Sequence, residues 1–228
     1  MALRIPNVLN QAQLTTVQSG LAAPEAPWVD GRVTAGHQGA EVKRNQQIDE
    51  GSETARSLGN VILTALERNP LFVSAALPNR VYPPMFNRYA AGMYFGSHVD
   101  GAIRRVPGTH QKLRADLSAT LFLAAPDSYE GGELVIETHD DGQSFKLDAG
   151  DLLIYPTTSR HHVKPVTRGT RVACFFWIQS LIREESQRDQ LLLLDRTIQR
   201  LTEAGSDADS MVALASVYHN LLRQWTEL

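Results

Sequence analysis

Hydrophobic spacing divides the 228-residue chain into three textures. Near the start, Leu14, Val17 and Leu21 recur at helical intervals behind Asn10 and Gln13, the polar pair of a helix start, and Pro24 and Pro27 stop the pattern. A second helical stripe, Leu58, Ile62 and Leu66, follows Ser52 as its cap and ends at Asn69-Pro70. Between them, 32–45 reads as strand and loop. Over 80–180 the helical period gives way to short β-branched and aromatic runs separated by Gly, Pro and Asp, and the spacing predicts strands over 89–95, 116–123, 132–137 and 171–179. Beyond Arg183 the helical period returns with Leu191 to Leu194, Ile198 and Leu201, until Gly205 breaks it. Ser206 is the expected cap of a last helix, whose stripe of Val212, Leu214, Val217, Tyr218, Leu221, Leu222 and Trp225 is wide enough to be buried. These two helices are expected to pair as a hairpin. No internal repeat is present, so the layout is α+β: an N-terminal helix and strand support region (1–79), a double-stranded β-helix or jelly-roll core (80–180), and a C-terminal helical domain (181–228).

Composition narrows the class. A hydrophobic content of 43% with 21% charged residues is enough for a real core. The net charge of -3 and the scatter of basic residues offer no footprint for nucleic acid, although the local pair Arg104-Arg105 could meet an anionic substrate. The single cysteine, Cys174, lies in the apolar run Val172-Ala173-Cys174-Phe175-Phe176-Trp177-Ile178, which excludes an intrachain disulfide and a thiolate metal cluster and fits a reducing compartment. No run reaches the roughly 18 apolar residues of a membrane span, and no secretory leader opens the chain, so a cytoplasmic protein is expected.

The candidate chemistry starts at His98-Val99-Asp100. Residues two apart on a strand share a face, so the His98 imidazole and the Asp100 carboxylate could grip one ion while Val99 points away. Adding His161 gives two imidazoles and one carboxylate, the set that leaves adjacent coordination positions open in non-haem Fe(II) oxygenases. A His-x-Asp triplet alone is a weak signal, and an isolated histidine is more often a surface or satisfied core residue. Its surroundings strengthen it: Gly150-Asp151-Leu152-Leu153-Ile154-Tyr155-Pro156 reads as turn, buried strand and stop, and delivers His161 at the edge of the next strand. Alternation turns His162 away. Past the turn signal Arg168-Gly169, Arg171 opens an apolar strand and needs an anionic partner, either a core carboxylate or a ligand held bidentately. Ala173, Phe175 and Trp177 would share its side of the strand as pocket wall. His37, His110 and His139 are placed in loops.

The segments Arg88-Tyr89, His98 with Asp100, Asp116-Leu117-Ser118-Ala119-Thr120-Leu121-Phe122-Leu123, Glu130-Gly131-Gly132-Glu133-Leu134, Gly150-Asp151, His161 and 165–171 together resemble the prolyl 4-hydroxylase-type Fe(II)/2-oxoglutarate dioxygenases. More narrowly, they are similar to the bacterial PKHD-type hydroxylases, over 80–180 and again in the helical tail. The resemblance implies His98, Asp100 and His161 as iron ligands, Arg171 as the 2-oxoglutarate anchor and Tyr89 as a further co-substrate contact. It also implies 2-oxoglutarate and dioxygen as co-substrates, release of succinate and carbon dioxide, and L-ascorbate as a reductant. One departure stands out: where relatives carry a tyrosine that helps hold the far carboxylate, Phe122 has no hydroxyl, and Tyr155 and Thr120 are the candidate substitutes.

Two other function classes use the same residues: a barrel metalloenzyme working with Zn or Mn without 2-oxoglutarate, and a non-catalytic iron or 2-oxoglutarate sensor reporting through the helical tail. A core carboxylate against Arg171 would favour the first, and absence of turnover the second. The tail could also support a homo-oligomer. The motifs specify oxidant assembly and leave the substrate open. Members of the resembling group are associated with bacterial iron uptake, which makes a small metabolite as reasonable as a peptidyl proline, with specificity expected in the loops 31–45 and 101–112.

Overall fold

The computed structural model describes residues 2–34, 37–137 and 142–228, with the backbone alone for 37–39. Two antiparallel sheets face each other. The major sheet runs, edge to edge, through Leu3–Ile5, Leu152–Pro156, Leu117–Phe122, Val166–Ser180, Met85–Ala90, Gln46–Ile48 and Trp28–Asp30. The minor sheet runs through Gln143–Phe145, Leu134–Ile136, His161–Val163, Tyr94–His98 and Lys43–Arg44. This is the expected jelly-roll core of an α+β chain, and residues before position 80 supply strands to both sheets.

Alternation decides what each strand gives to which side. On the outer face of the major sheet, Leu117, Ala119, Leu121, Leu152, Ile154, Cys174, Phe176 and Ile178 form one apolar cluster with the helices α1 (Gln11–Ala22), α3 (Glu53–Glu67) and α4 (Pro70–Ala76); α2 (His37–Val42) lies apart, beside the minor sheet. The periodic positions Leu14, Val17, Leu21, Leu58, Ile62 and Leu66 are all buried there, each worth about 1.5–3 kcal/mol of transfer from water. On the inner face, Ser118, Thr120, Phe122, Leu153, Tyr155, Arg171, Phe175 and Trp177 project between the sheets. The central strands therefore bury both faces and read as nearly continuous apolar runs, with the site's polar residues dispersed among them.

Several boundaries differ from the expectation, each for a local reason. The predicted strand over 89–95 is a corner: Gly92, at φ +83°, turns the chain from the major-sheet strand Met85–Ala90 into the minor-sheet strand Tyr94–His98. The segment 32–45 contains a 3-10 turn, Gly31–Thr34, and helix α2 as well as a strand. Asn69-Pro70 ends α3 and also starts α4, since the Asn69 side chain accepts from the Phe72 N–H and proline fits the first helical turn. Arg171 does not open a strand; Val166–Ser180 is continuous through Gly169, which lies against the backbone of Ser128 and Tyr129.

Helices α5 (Glu185–Glu203) and α6 (Ala208–Trp225) form the expected hairpin. Asp207, not Ser206, caps α6 by accepting from the Ser210 N–H at 2.8 Å. The stripe on α6 is less buried than its width suggests: Tyr218, Leu221, Leu222 and Trp225 pack partly against Leu77, Ile182 and Leu191, while Val212 and Val217 are exposed. Arg114 ties the chain end back to the core by bonding Asp116 and Glu227, each at 2.7 Å. Among the described residues, no helix is long and apolar enough to cross a membrane.

Candidate metal centre and co-substrate pocket

Strand register, rather than the His-x-Asp spacing alone, assembles the three candidate ligands. His98, the last residue of its strand, is the direct antiparallel partner of His161, the first residue of the next, so their rings stand 4.2 Å apart between centroids. The strand ends at His98, and Asp100 comes from the loop that follows, where the chain turns back under the pair. Asp100 Oδ1 lies 3.9 Å from His98 Nε2, and Oδ2 lies 3.7 Å from His161 Nε2. Two donors bonding one cation at about 2.1 Å each can be no more than about 4.2 Å apart, so both spans suit a shared ion. All three donor atoms lie within 4.8 Å of one another.

The protonation states also fit. His98 Nδ1 is 2.8 Å from the Gly96 carbonyl and His161 Nδ1 is 3.0 Å from the Ser159 carbonyl. A carbonyl can only accept, so each Nδ1 carries a proton, and the Nε2 of each ring is the atom that faces the centre and can bind a metal. Burial, followed by the nearness of His161, pushes the His98 pKa down to about 4 and keeps that ring neutral at pH 7. Burial alone would raise the Asp100 pKa; the facing His161, the Ser118 hydrogen bond and His98 outweigh it and hold the carboxyl below its usual range. Ser118 Oγ donates to Asp100 Oδ2 at 2.7 Å. Its single proton being committed there, the Thr157 hydroxyl is the donor in the 3.1 Å contact between the two hydroxyls. The Trp177 indole N–H is near enough to favour the Asp100 carboxylate without making a well-formed hydrogen bond.

These groups open into a cavity of about 740 Å³ between the sheets. Arg171 lies in its wall, 2% exposed, with its guanidinium 5.3 Å from the Tyr89 ring centre and 5.5 Å from that of Phe122. Among the described residues no acidic group forms an ion pair with it, and its Nε has no hydrogen-bond partner. The alternative of a core carboxylate finds no support there. Gly132 makes room for this side chain: at φ +68°, a Cβ there would sit 3.3 Å from Arg171 Cδ and 3.1 Å from the Tyr129 ring. Tyr89, Arg171's register partner, is buried beside it, and Tyr155 and Thr120 are buried as neighbours on the same wall. Burial raises the pKa of both tyrosines, so their hydroxyls remain protonated donors.

Of the predicted wall residues, Phe175 and Trp177 line the cavity, whereas Ala173 is fully buried and is not among the lining residues. His162 turns outward and meets Glu137 at 3.1 Å. His139 and the His37 side chain lie outside the described residues. Four residues outside the predicted site set belong to the site, of which the sequence pointed only to Arg104, as half of a pair that could meet an anion. Ser118 grips Asp100, Tyr129 places a buried hydroxyl without a partner close to Arg171, and Lys43 and Arg104 line the cavity. The period-two alternation that carries Thr120 inward carries Ser118 with it, and was the available signal.

Comparison with known proteins agrees with this geometry. Residues 84–179 match the 2OG-Fe(II) oxygenase superfamily and residues 185–227 match the PKHD-type hydroxylase C-terminal domain. A PKHD-type hydroxylase of Burkholderia ambifaria is 60% identical over 227 residues, and one of Cupriavidus metallidurans is 57% identical, with the whole of both chains covered in each case. Among solved structures, a Pseudomonas putida prolyl-4-hydroxylase aligns with TM-score 0.51 at 19% identity, covering 78% of this chain and 92% of that one. A viral collagen prolyl hydroxylase from Paramecium Bursaria Chlorella virus-1, solved with 2OG, aligns with TM-score 0.51 at 15% identity, covering 78% and 95%. At these identities the structural matches speak for the fold.

Proposed function

The chain belongs to the PKHD-type hydroxylases of the 2OG-Fe(II) oxygenase superfamily, and from that premise we propose that His98, Asp100 and His161 hold the ferrous ion and Arg171 anchors 2-oxoglutarate. The enzyme is an Fe(II)- and 2-oxoglutarate-dependent dioxygenase. The observation that carries the residue assignment is Arg171: a buried guanidinium without an acidic partner among the described residues, in the wall of the cavity where the three donors converge. An unpaired buried charge is costly, and a carboxylate delivered by a ligand relieves that cost through two parallel N–H bonds.

Iron bound here would supply activation of dioxygen, with 2-oxoglutarate giving up two electrons to leave succinate and carbon dioxide as substrate is hydroxylated. The protein's part is positional. The carbonyls of Gly96 and Ser159 fix the two imidazole planes, and Ser118 fixes Asp100. Tyr89 is proposed as the co-substrate contact beside Arg171, and the Tyr155 and Thr120 hydroxyls as the donors that stand in where Phe122 has none. Phe95, its ring centre 3.6 Å from that of His98, and Phe175 give the cavity an apolar wall beside the candidate ligands.

The substrate is a small molecule or a peptidyl side chain, iron uptake is the proposed setting, and L-ascorbate the proposed reductant that keeps the metal ferrous. The single buried Cys174 supports a reducing, cytoplasmic location. The division at residues 80 and 181 is proposed to separate support, catalytic and tail units, in keeping with matches to 84–179 and 185–227. Self-association through α5 and α6 draws support from exposed Leu193, Val212 and Val217, and light scattering tests it.

Anaerobic loading with Fe(II), then 2-oxoglutarate, then oxygen, tests the reading. 2-Oxoglutarate should perturb the iron's optical spectrum, and oxygen should yield succinate. An unperturbed spectrum would refute the co-substrate site, and a perturbed spectrum without succinate would favour a sensor.

A further inference from the structure

Arg171 is not the only cation in the cavity wall without an acidic partner. Lys43 is 4% exposed, and its ammonium spends one donor on the Thr34 hydroxyl at 3.2 Å. Arg104 stacks on Trp177, its guanidinium carbon 3.5 Å from the ring centre, and its buried Nε has no partner. Neither makes an ion pair among the described residues, and the two repel each other. Asp100, Glu50 and Asp30 act on Lys43 only from beyond ion-pair distance.

Position separates this pair from the co-substrate anchor. Arg171 and Trp177 are six residues apart on one extended strand, about 20 Å at 3.4 Å per residue. Arg104 rides on the Trp177 end, and Lys43 sits nearer that end than Arg171, 5.9 Å from the Phe175 ring and 5.1 Å from that of Phe95. The candidate ligands stand at that same end: Asp100 is bonded to Ser118, the register partner of Trp177. Arg104 therefore lies at the metal end of the cavity, where a substrate must approach, and away from Arg171, which would hold the far carboxylate of the dicarboxylate.

Charge bookkeeping gives the same picture. Among the described residues the wall carries three cations, Lys43, Arg104 and Arg171, against one carboxylate, Asp100, for a net formal charge of two positive. A divalent metal adds two and 2-oxoglutarate removes two. The cavity remains two positive when it is ready for substrate, and a low-dielectric cleft of one sign concentrates ligands of the other.

We propose that Lys43 and Arg104 recognise an anionic oxyacid group, carboxylate or phosphate, on the molecule that is hydroxylated, held next to the apolar wall of Phe95, Phe175 and Trp177. This deepens the dioxygenase reading and rests on it for the word substrate. It assigns a class to the substrate: an acid with an apolar body small enough for the cavity, the planar Arg104 fork engaging the oxyacid edge and Lys43 acting as a point charge.

The test titrates benzoate, phenyl phosphate and neutral benzamide into protein loaded with Mn(II) and saturating 2-oxoglutarate, read by calorimetry. Wild-type protein should bind at least one anion below roughly 10 mM and prefer it to benzamide. The tighter of benzoate and phenyl phosphate identifies the oxyacid. Lys43→Met and Arg104→Met should each weaken that binding roughly tenfold or more while changing 2-oxoglutarate affinity less than about threefold. Should Lys43→Met not fold, Arg104→Met carries the test, because Arg104 is half-buried on a hairpin. No anion binding below that concentration, equal binding of benzamide, unchanged affinity in the variants, or a matching loss of 2-oxoglutarate affinity in Lys43→Met would each overturn the proposal. Repeating the titration on metal-free Arg171→Met protein separates the two readings. Anion binding that still depends on Lys43 and Arg104 survives a failure of the co-substrate site.

Discussion

Replacing Arg171 by Met should have opposite consequences with and without 2-oxoglutarate. The guanidinium is fully enclosed, its Nε is unbonded, and its compensation within the protein is two ring faces, Tyr89 at 5.3 Å and Phe122 at 5.5 Å. Such cation–π contacts return about 0.5–2 kcal/mol each. Against this stands a desolvation penalty of several kcal/mol for a buried ion. Methionine follows the arginine stem through the space that Gly132 leaves and brings no charge, so without ligand the variant should equal the wild type or exceed it by up to about 2 kcal/mol. With ligand the sign reverses. Removing one partner of a desolvated charge pair costs about 2–5 kcal/mol, which weakens 2-oxoglutarate roughly 30-fold to several thousandfold. Thermal melts of Mn(II)-loaded protein read both effects. At 100 times its dissociation constant, 2-oxoglutarate should stabilise the wild type by about 2.7 kcal/mol, roughly 5–10 °C for a chain of this size, and the variant hardly at all. A ligand-free variant that melts more than about 2 kcal/mol below wild type, yet keeps the ligand-induced rise, would show that Arg171 serves the core and would remove the central support for the co-substrate site.

Three further outcomes follow from the same geometry. Asp100→Ala should abolish metal retention and hydroxylation together, and 2-oxoglutarate turnover persisting in that variant, measured as succinate, would count against Asp100 as a ligand. Ser118→Ala removes the 2.7 Å bond that orients Asp100 and should lower metal affinity about 10–100-fold with a small change in urea midpoint; a large fall in midpoint with unchanged metal affinity would make Ser118 structural. Lys43, pushed down to about 8 by burial and by Arg104, has a folded-state pKa below its unfolded value of 10.5. The unfolded chain therefore binds the extra proton between those values, and metal-free protein should gain stability as pH rises from 8 to 10.5, by up to about 3 kcal/mol. Urea titrations of wild type and Lys43→Met across that range check it, and parallel curves would refute the shift.

What could be read from the letters followed the range of the interaction that produces each feature. Helices α1 and α3 were legible because their caps, Asn10 and Ser52, and their stripes are local. Helix α2 and the Gly92 corner were not. A six-residue helix carries too little periodicity to register, and an apolar segment that changes sheets at one glycine looks like a single strand. The same division runs through the site. His98, Asp100, His161 and Arg171 could be picked out because polar groups in apolar runs are conspicuous and their grouping resembles a known family. The contacts that position them were hidden, since Ser118 reaches Asp100 across 18 positions and Gly132 meets the Arg171 side chain from a distant point in the sequence. Lys43 and Arg104 show the limit most plainly. In sequence each falls in a loop where specificity is expected, Arg104 as half of a basic pair, but nothing local joins the two; the fold turns both towards the cavity, where neither has an ion-pair partner among the described residues. An unpaired buried cation is a tertiary fact, as binding specificity usually is. The motifs name the oxidant because its ligands recur as a pattern, whereas the substrate is written in the charges that the fold leaves unsatisfied.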